Sequence, residues 1–102
     1  MRTGRRVGGA FCITHAVLRA PGDSARFGFI VSKAVGNAVT RNLIRRRMKG
    51  IVDRHIARGI TGVDVVFRAL PRAADASYGD LEAELDRAIA RVERELTPAV
   101  PA

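Results

Sequence analysis

Five cationic side chains lie within nine residues near the middle of this 102-residue chain. Each guanidinium group offers paired N–H donors that match phosphate oxygens, and neutralising phosphates releases condensed counterions. A solvated helix that happens to be rich in arginine is the alternative. It is disfavoured because no acidic residue lies between Asp23 and Asp53 to pair with these cations. The pattern therefore indicates a surface that binds a polyanion. The five residues are Arg41, Arg45, Arg46, Arg47 and Lys49.

A single helix is predicted to carry these cations, from Asn37 to about Arg58. Asn37 is a favoured N-cap residue, and Gly59 is a plausible stop because glycine commonly follows the last helical turn. One stripe of the helix, at about 100° per residue, is suited to packing against a core. The stripe consists of Ile44, Met48, Ile51 and His55. Packed in this way, the helix would present a broad cationic face with Asn42 within it.

The distribution of charge supports a nucleic-acid partner. The net charge is +8, and residues 1–52 contain eleven Lys/Arg and one acid, whereas residues 53–102 contain seven Arg and nine acids. Hydrophobic residues make up 47% of the chain, which predicts one folded domain over residues 1–102 rather than a disordered basic tail. An irregular folded RNA suits a helix packed on a sheet better than duplex DNA does.

The remaining pattern predicts an α+β fold, a two-layer sandwich with a small mixed sheet of three or four strands in the order β(β)βαβα. Gly8 and Gly9 divide the first strand-like stretch or mark a bulge, and the first two stretches are expected to pair as an antiparallel hairpin. Residues 1–6 are interpreted as a basic arm and residues 97–102 as a flexible tail. The predicted strands are Val7–Arg19, Arg26–Ser32 and Val63–Phe67.

A second, amphipathic helix is predicted over Tyr78–Leu96. Ser77 and Asp80 have the spacing of a capping box at its start. Its apolar face would pack on the sheet, and its outer face is interpreted as a mixture of both charges. That outer face consists of Glu82, Glu84, Asp86, Arg87, Arg91, Glu93, Arg94 and Glu95.

Protein-centred catalysis has little support in the sequence. His15 and His55 are isolated, with no second ligand at metal spacing and no nucleophile–base pair nearby. Cys12 is the sole cysteine, so an internal disulfide is impossible and a reducing, cytoplasmic setting is expected. A further possibility concerns three phenylalanines, which would either stack bases on an exposed sheet face or form the core beneath the helices, the second being preferred. They are Phe11, Phe27 and Phe29.

The segment from Phe27 to Lys49, FGFIVSKAVGNAVTRNLIRRRMK, closely resembles the signature of the bacterial ribonuclease P protein component. The resemblance extends over roughly residues 5–96. It implies a subunit that binds the catalytic ribonuclease P RNA and precursor tRNA, aiding recognition of the 5′ leader during tRNA maturation. Catalysis would belong to the RNA subunit with its Mg²⁺ ions, and the protein would hold no cofactor of its own. The complex would contain one monomeric protein per RNA and involve no membrane.

The resemblance also implies specific residues and a specific topology. RNA-binding positions would be Lys33, Asn37, Arg41, Asn42, Arg45, Arg46 and Lys49. The leader cleft would involve Cys12, Thr14 and Arg68. The family has an unusual left-handed βαβ crossover and resembles the second domain of ribosomal protein S5, whereas the general rule favours right-handed crossovers.

Three features depart from the family pattern. The first helix of the family, whose aromatic residues form one wall of the leader cleft, is expected to be missing. Ala34 stands where a basic residue is common, and Leu43 stands where an arginine is frequent. Two other functions remain open at this point: a ribosomal-protein-like RNA-binding module without a role in tRNA processing, and a free-standing metal nuclease.

Overall fold

A computed structural model describes residues 4–20 and 22–96 of the protein. Within these residues the chain forms a four-stranded sheet and two long helices. Short 3₁₀ helices at Lys33–Val35 and Pro71–Asp75 flank the first helix and the last strand. The strands are β1 (Gly4–Gly8), β2 (Cys12–Leu18), β3 (Arg26–Ile30) and β4 (Val63–Ala69), and the helices are α1 (Ala38–Ala57) and α2 (Tyr78–Leu96). The predicted α+β class is confirmed.

The sheet has the strand order β1-β2-β4-β3. β1 pairs with β2, and β2 with β4, in antiparallel fashion, whereas β3 and β4 are parallel and joined through α1. The predicted hairpin between the first two strand-like stretches, Val7–Arg19 and Arg26–Ser32, is therefore wrong, because β4 lies between β2 and β3. β4 is apolar at nearly every position, which is typical of a central strand. The β3–α1–β4 crossover is present, and its left-handedness and the likeness to ribosomal protein S5 stay predictions.

The loop between β2 and β3 is held away from hairpin geometry by the loop before β4. Arg19 donates its backbone N–H to the carbonyl of Gly62 at 2.7 Å, and Gly62 donates its own N–H to the carbonyl of Asp23 at 2.8 Å. An isolated bridge joins Ser24 to Thr61. These contacts direct β3 to the far side of β4.

Both helices cover one face of the sheet. On β4 the alternate residues Val63, Val65 and Phe67 are buried, whereas Arg68 on the opposite face is exposed. Phe27 and Phe29 each stack with Phe67, with ring centroids 6.3 and 6.0 Å from it. Phe11, Phe27 and Phe29 pack against the core, so the interpretation as core residues is confirmed over base stacking.

Helix α1 begins and ends as its sequence indicates. The Asn37 side chain accepts the backbone N–H of Thr40 at 2.9 Å, which satisfies one free donor of the first turn. Gly59, one residue past the C-cap, has φ of +96°, a conformation that glycine adopts without the cost a Cβ would add. Ile44, Met48 and Ile51 are at most 1% exposed, and the predicted packed stripe is thereby confirmed.

Helix α2 begins with the predicted capping box. Ser77 Oγ accepts the N–H of Asp80 at 3.0 Å, and Asp80 Oδ2 accepts the N–H of Ser77 at 3.3 Å. The predicted bounds of this helix are also confirmed.

Two predictions concern the ends of the chain, a basic arm over residues 1–6 and a flexible tail over residues 97–102. The prediction of a basic arm is wrong for Gly4, Arg5 and Arg6, which belong to β1. Edge pairing with β2 gives this short stretch the backbone hydrogen bonds that an arm would lack. The predicted tail over residues 97–102 lies outside the described residues.

Candidate nucleic-acid interface

The predicted RNA-binding residues lie together at the N-terminal half of α1 and on the 3₁₀ helix before it. All of them are exposed except Arg41, which is half-buried. We call this set the cationic surface, and it consists of Lys33, Asn37, Arg41, Asn42, Arg45, Arg46 and Lys49.

The backbone beneath the cationic surface is held rigidly. Met48 and Ile51 are fully buried, and Val52 beside them is 1% exposed, so three positions of α1 are locked into the core. Arginines on such a helix have a fixed origin and need to order only their own side chains when they bind. The cationic surface is therefore preorganised at the level of the backbone.

Few acids compete with an external anion at this surface. Lys49 pairs with Asp53 at 3.3 Å, and both side chains are more than half exposed, at 67% and 55%, so solvent weakens the pair. Arg45 donates to Asn42 Oδ1 at 3.1 Å, which orients the guanidinium without neutralising it. The surface thus keeps most of its positive charge.

Other cations of α1 serve the fold. Arg47 donates to the carbonyl of Ala76 at 3.5 Å, and Arg54 pairs with Glu82 of α2. Arg54 thereby links α1 to α2, and Arg47 links α1 to the segment just before α2. Arg47, one of the five cations in the sequence pattern, thus makes a contact within the protein, and neither it nor Arg54 belongs to the predicted RNA-binding set.

Two apolar side chains lie exposed among the cations. Val39 is 77% exposed and Leu43 is 37% exposed, one helical turn apart. Leu43 and the exposed Ala34 are the two positions that depart from the family pattern by losing a positive charge.

A cleft of about 510 Å³ lies between the β1–β2 turn and α2. Cys12 and Thr14, both 2% exposed, are part of its lining. Three arginines of α2, spaced by four and three residues so that they share one helix face, line it as well. They are Arg87, Arg91 and Arg94.

Glu84 closes the inner end of this cleft and is 6% exposed. Its carboxylate accepts three successive backbone N–H groups: Ala10 at 2.8 Å, Phe11 at 2.9 Å and Cys12 at 2.7 Å. A Cβ on Gly9 would approach this carboxylate to 2.6 Å, so only glycine fits at that position. The β1–β2 turn is therefore clamped onto α2.

The Ribonuclease P family model matches residues 1–93 of the chain. The chain belongs to the ribonuclease P protein family. The ribonuclease P protein component of a Nocardioides species is 41% identical over 99 residues, covering 95% of this chain and 85% of the relative. That of Streptomyces avermitilis is 43% identical over 102 residues, covering 90% and 81%. The predicted membership, as a protein component of ribonuclease P, is confirmed.

Solved structures support the same assignment. The ribonuclease P protein of Staphylococcus aureus superposes with a TM-score of 0.78 at 25% identity, covering 90% of this chain and 84% of that one. The Thermotoga maritima ribonuclease P protein, with a TM-score of 0.77 at 19% identity, shows the shared fold.

The structure separates the three residues that the family resemblance assigns to a leader cleft, and their role in leader binding stays a prediction. Cys12 and Thr14 face the helices, whereas Arg68 lies on the opposite face of the sheet, where it is exposed and pairs across with Ile13. Successive strand residues point to opposite faces of the sheet. Arg68 pairs with Ile13, which lies between Cys12 and Thr14 in sequence, so the side chain of Arg68 lies on the other face from theirs. The structure brings Cys12 and Thr14 to one cleft and excludes Arg68 from it.

The sequence interpretation misses the residues of α2 that form this cleft. It places Arg87, Arg91 and Arg94 on a mixed outer face, although their spacing of four and three residues marks a single stripe. It places Glu84 on the same outer face, and this is wrong because Glu84 is buried. A buried carboxylate requires donors, and these come from a turn more than 70 residues away in sequence.

Two further titratable residues, His55 and Cys12, belong to the fold. His55 Nε2 lies 2.7 Å from Asp86 Oδ1, which links α1 to α2. Burial, with a further contribution from the charge of Glu84, raises the pKa of the Cys12 thiol to about 12.

Within residues 4–20 and 22–96, no three His, Cys, Asp or Glu side chains come together in a way that would hold a metal ion. In the same residues, neither helix has the length and apolarity of a transmembrane span.

Proposed function

We propose that this chain binds the ribonuclease P RNA through its cationic surface and the 5′ leader of precursor tRNA through the cleft beside α2. Cleavage of the leader is assigned to the RNA subunit and its Mg²⁺ ions, as membership in the ribonuclease P protein family implies. One protein per RNA, acting in the cytoplasm, completes the proposal.

The observation that carries the RNA-binding role is the unneutralised charge of a rigid helix. A phosphate backbone gains one charge-assisted contact per arginine, and the contacts form without reorganising the protein backbone. Because each contact releases counterions, affinity for the RNA is expected to fall steeply with salt.

The composition of the cleft supports leader binding. Arg87 and Arg94 place two charges along one wall, while Cys12 and Thr14 contribute small side chains that leave room for an extended strand. Glu84 is 6% exposed at the inner end of the cleft, and its oxygens are directed at three backbone N–H groups of the protein. A single strand of RNA, bound mainly through phosphates, matches these features.

Charge reversal on the cationic surface tests the first half of the proposal. Arg41→Glu and Arg45→Glu are expected to abolish the ability of the protein to rescue precursor-tRNA cleavage by the RNA subunit at low Mg²⁺. Arg58→Glu, roughly 20 Å further along the same helix from Arg45, is the matched control and is expected to retain rescue. Full rescue by the Arg41 and Arg45 variants would overturn the proposal.

Two further measurements separate the alternatives. Sequencing of RNA captured with the tagged protein distinguishes ribonuclease P RNA from the ribosomal RNA that a ribosomal-protein-like module would bind. In the cleavage assay, Arg94→Glu is expected to reduce the advantage of a long-leader precursor over a short-leader one. An unchanged ratio would contradict the assignment of the cleft.

A further inference from the structure

The face of the sheet opposite the helices is not covered by any described element. Its side chains alternate with those of the core along all four strands. Val17 is 48% exposed and Ile30 is 50% exposed, whereas Ala16, the helix-side neighbour of Val17, is 1% exposed. We call this surface the open face, and its residues are Arg6, Ile13, His15, Val17, Arg26, Gly28, Ile30, Asp64, Val66 and Arg68.

The open face carries positive charge with little to neutralise it. Among its residues the one acid is Asp64, which Arg26 contacts at 3.0 and 2.7 Å and Arg19 approaches at 3.5 Å. Arg6 and Arg68 are exposed, and neither makes an ion pair or side-chain hydrogen bond within residues 4–20 and 22–96. Two arginines therefore remain available to an anion that approaches this face.

Strand register arranges the open face as a platform with stacking groups at its centre. His15 lies opposite Arg6 on one side and Val66 on the other. Arg68 lies opposite Ile13, which places it diagonally from His15 at roughly 7–8 Å between the two backbones. An imidazole ring and a guanidinium plane both stack on unpaired bases.

The surroundings of these two groups permit close approach. Gly28 pairs with Val66 in the same row as His15 and has no side chain to obstruct a ligand. Ile13 and Ile30 flank Arg68 and offer apolar contact to a base or ribose. Positive charge, flat stacking groups and small neighbours together are the features of a platform for single-stranded nucleic acid.

We propose that the open face binds a single-stranded RNA segment, separately from the cationic surface and the leader cleft. A second copy of the chain is the less suitable occupant, because two faces that both carry unpaired arginines repel each other. This inference goes beyond the proposed function: it concerns β1, β2, β3 and β4, and it holds or fails independently of the roles of α1 and α2.

Nuclear magnetic resonance on the isotope-labelled full chain tests this site directly. A polyuridine oligonucleotide of about eight nucleotides, within the usual range of single-strand site sizes, is expected to shift the resonances of Ile13, His15, Val66 and Arg68. Combined His15→Ala and Arg68→Ala substitutions are expected to weaken that binding about tenfold, as loss of a stacked base typically does. Shifts confined to α1 and the leader cleft would overturn the proposal.

A matched control variant is Arg46→Ala, which removes one exposed arginine from α1 and is expected to leave the open-face shifts unchanged. Because His15 and Arg68 are both exposed, their replacement is expected to leave the thermal unfolding temperature unaltered. Should the unfolding temperature fall, the single substitution Arg68→Gln is used in place of the double substitution. It is expected to weaken RNA binding, but by less than the double substitution does. Sedimentation provides a second measurement, since a dimer that the double substitution dissociates would assign the face to self-association and overturn the proposal. If the open-face proposal fails, rescue of precursor-tRNA cleavage is still expected to depend on Arg41 and Arg45.

Discussion

Helices α1 and α2 contain 20 and 19 residues, and both pack an apolar stripe on the same face of the sheet. They differ in where their charged residues find partners. Among the cations of α1 from Arg41 to Lys49, the one ion pair within the described residues is the exposed Lys49–Asp53 pair. Helix α2 turns a carboxylate, Glu84, into the interior, where backbone donors surround it.

The contrast continues along α1 itself. In its second half, Arg54 pairs with Glu82 of α2 and His55 contacts Asp86 of α2. Its earlier cations, such as Arg45 and Arg46, face solvent. Charge that stabilises the fold is thus matched within the protein, whereas unmatched charge indicates a partner outside it.

The largest effect expected from this comparison comes from Glu84. Glu84→Ala leaves three backbone N–H groups of the β1–β2 turn without an acceptor, and we expect the free energy of unfolding to fall by about 3 kcal/mol. Glu93→Ala, an exposed change on the same helix, is expected to cost less than about 0.5 kcal/mol. Urea denaturation measures both. Equal losses would show that the buried carboxylate does not clamp the turn.

The same contrast explains what the sequence reveals. The signals of α1 are local: an N-cap at Asn37, a stop at Gly59 and an apolar stripe between them lie within one continuous stretch. Each follows from the geometry of a single helix, so bounds and packed face are predictable. The predicted RNA-binding residues follow from the resemblance to a family motif, which is also continuous in sequence.

Features that depend on distant partners escape such prediction. Glu84 looks like one more surface acid until the β1–β2 turn is placed beside it. The position of β4 between β2 and β3 depends on how three strands compete for the centre of the sheet. The separation of Arg68 from Cys12 and Thr14 has a simpler cause, since the face of a strand residue changes with a single step of register.

A smaller effect on stability is expected when the N-cap side chain of either helix is removed. Asn37→Ala and Ser77→Ala each remove a side-chain cap, and each is expected to lower the free energy of unfolding by about 1 kcal/mol. Only the α1 substitution is expected to weaken RNA-subunit binding as well, because Asn37 belongs to the cationic surface. Asn37→Ser retains a cap and isolates the RNA contact. Binding that tracks stability equally in all three variants would remove Asn37 from the RNA-binding set.

The smallest effect concerns Cys12, whose thiol pKa is raised from 9.0 to about 12 by burial and by the nearby Glu84 charge. Folding favours the protonated thiol, so its contribution to stability is complete below pH 9 and is lost as pH rises toward 12. The loss is less than about 1 kcal/mol at pH 9.5. Cys12→Ala is expected to make the decline of stability above pH 9 shallower than in the unsubstituted protein.

Glu84→Gln, which removes the charge, is expected to lower the thiol pKa of Cys12 and speed its alkylation at pH 9. Alkylation as slow in that variant as in the unsubstituted protein would leave burial alone as the cause.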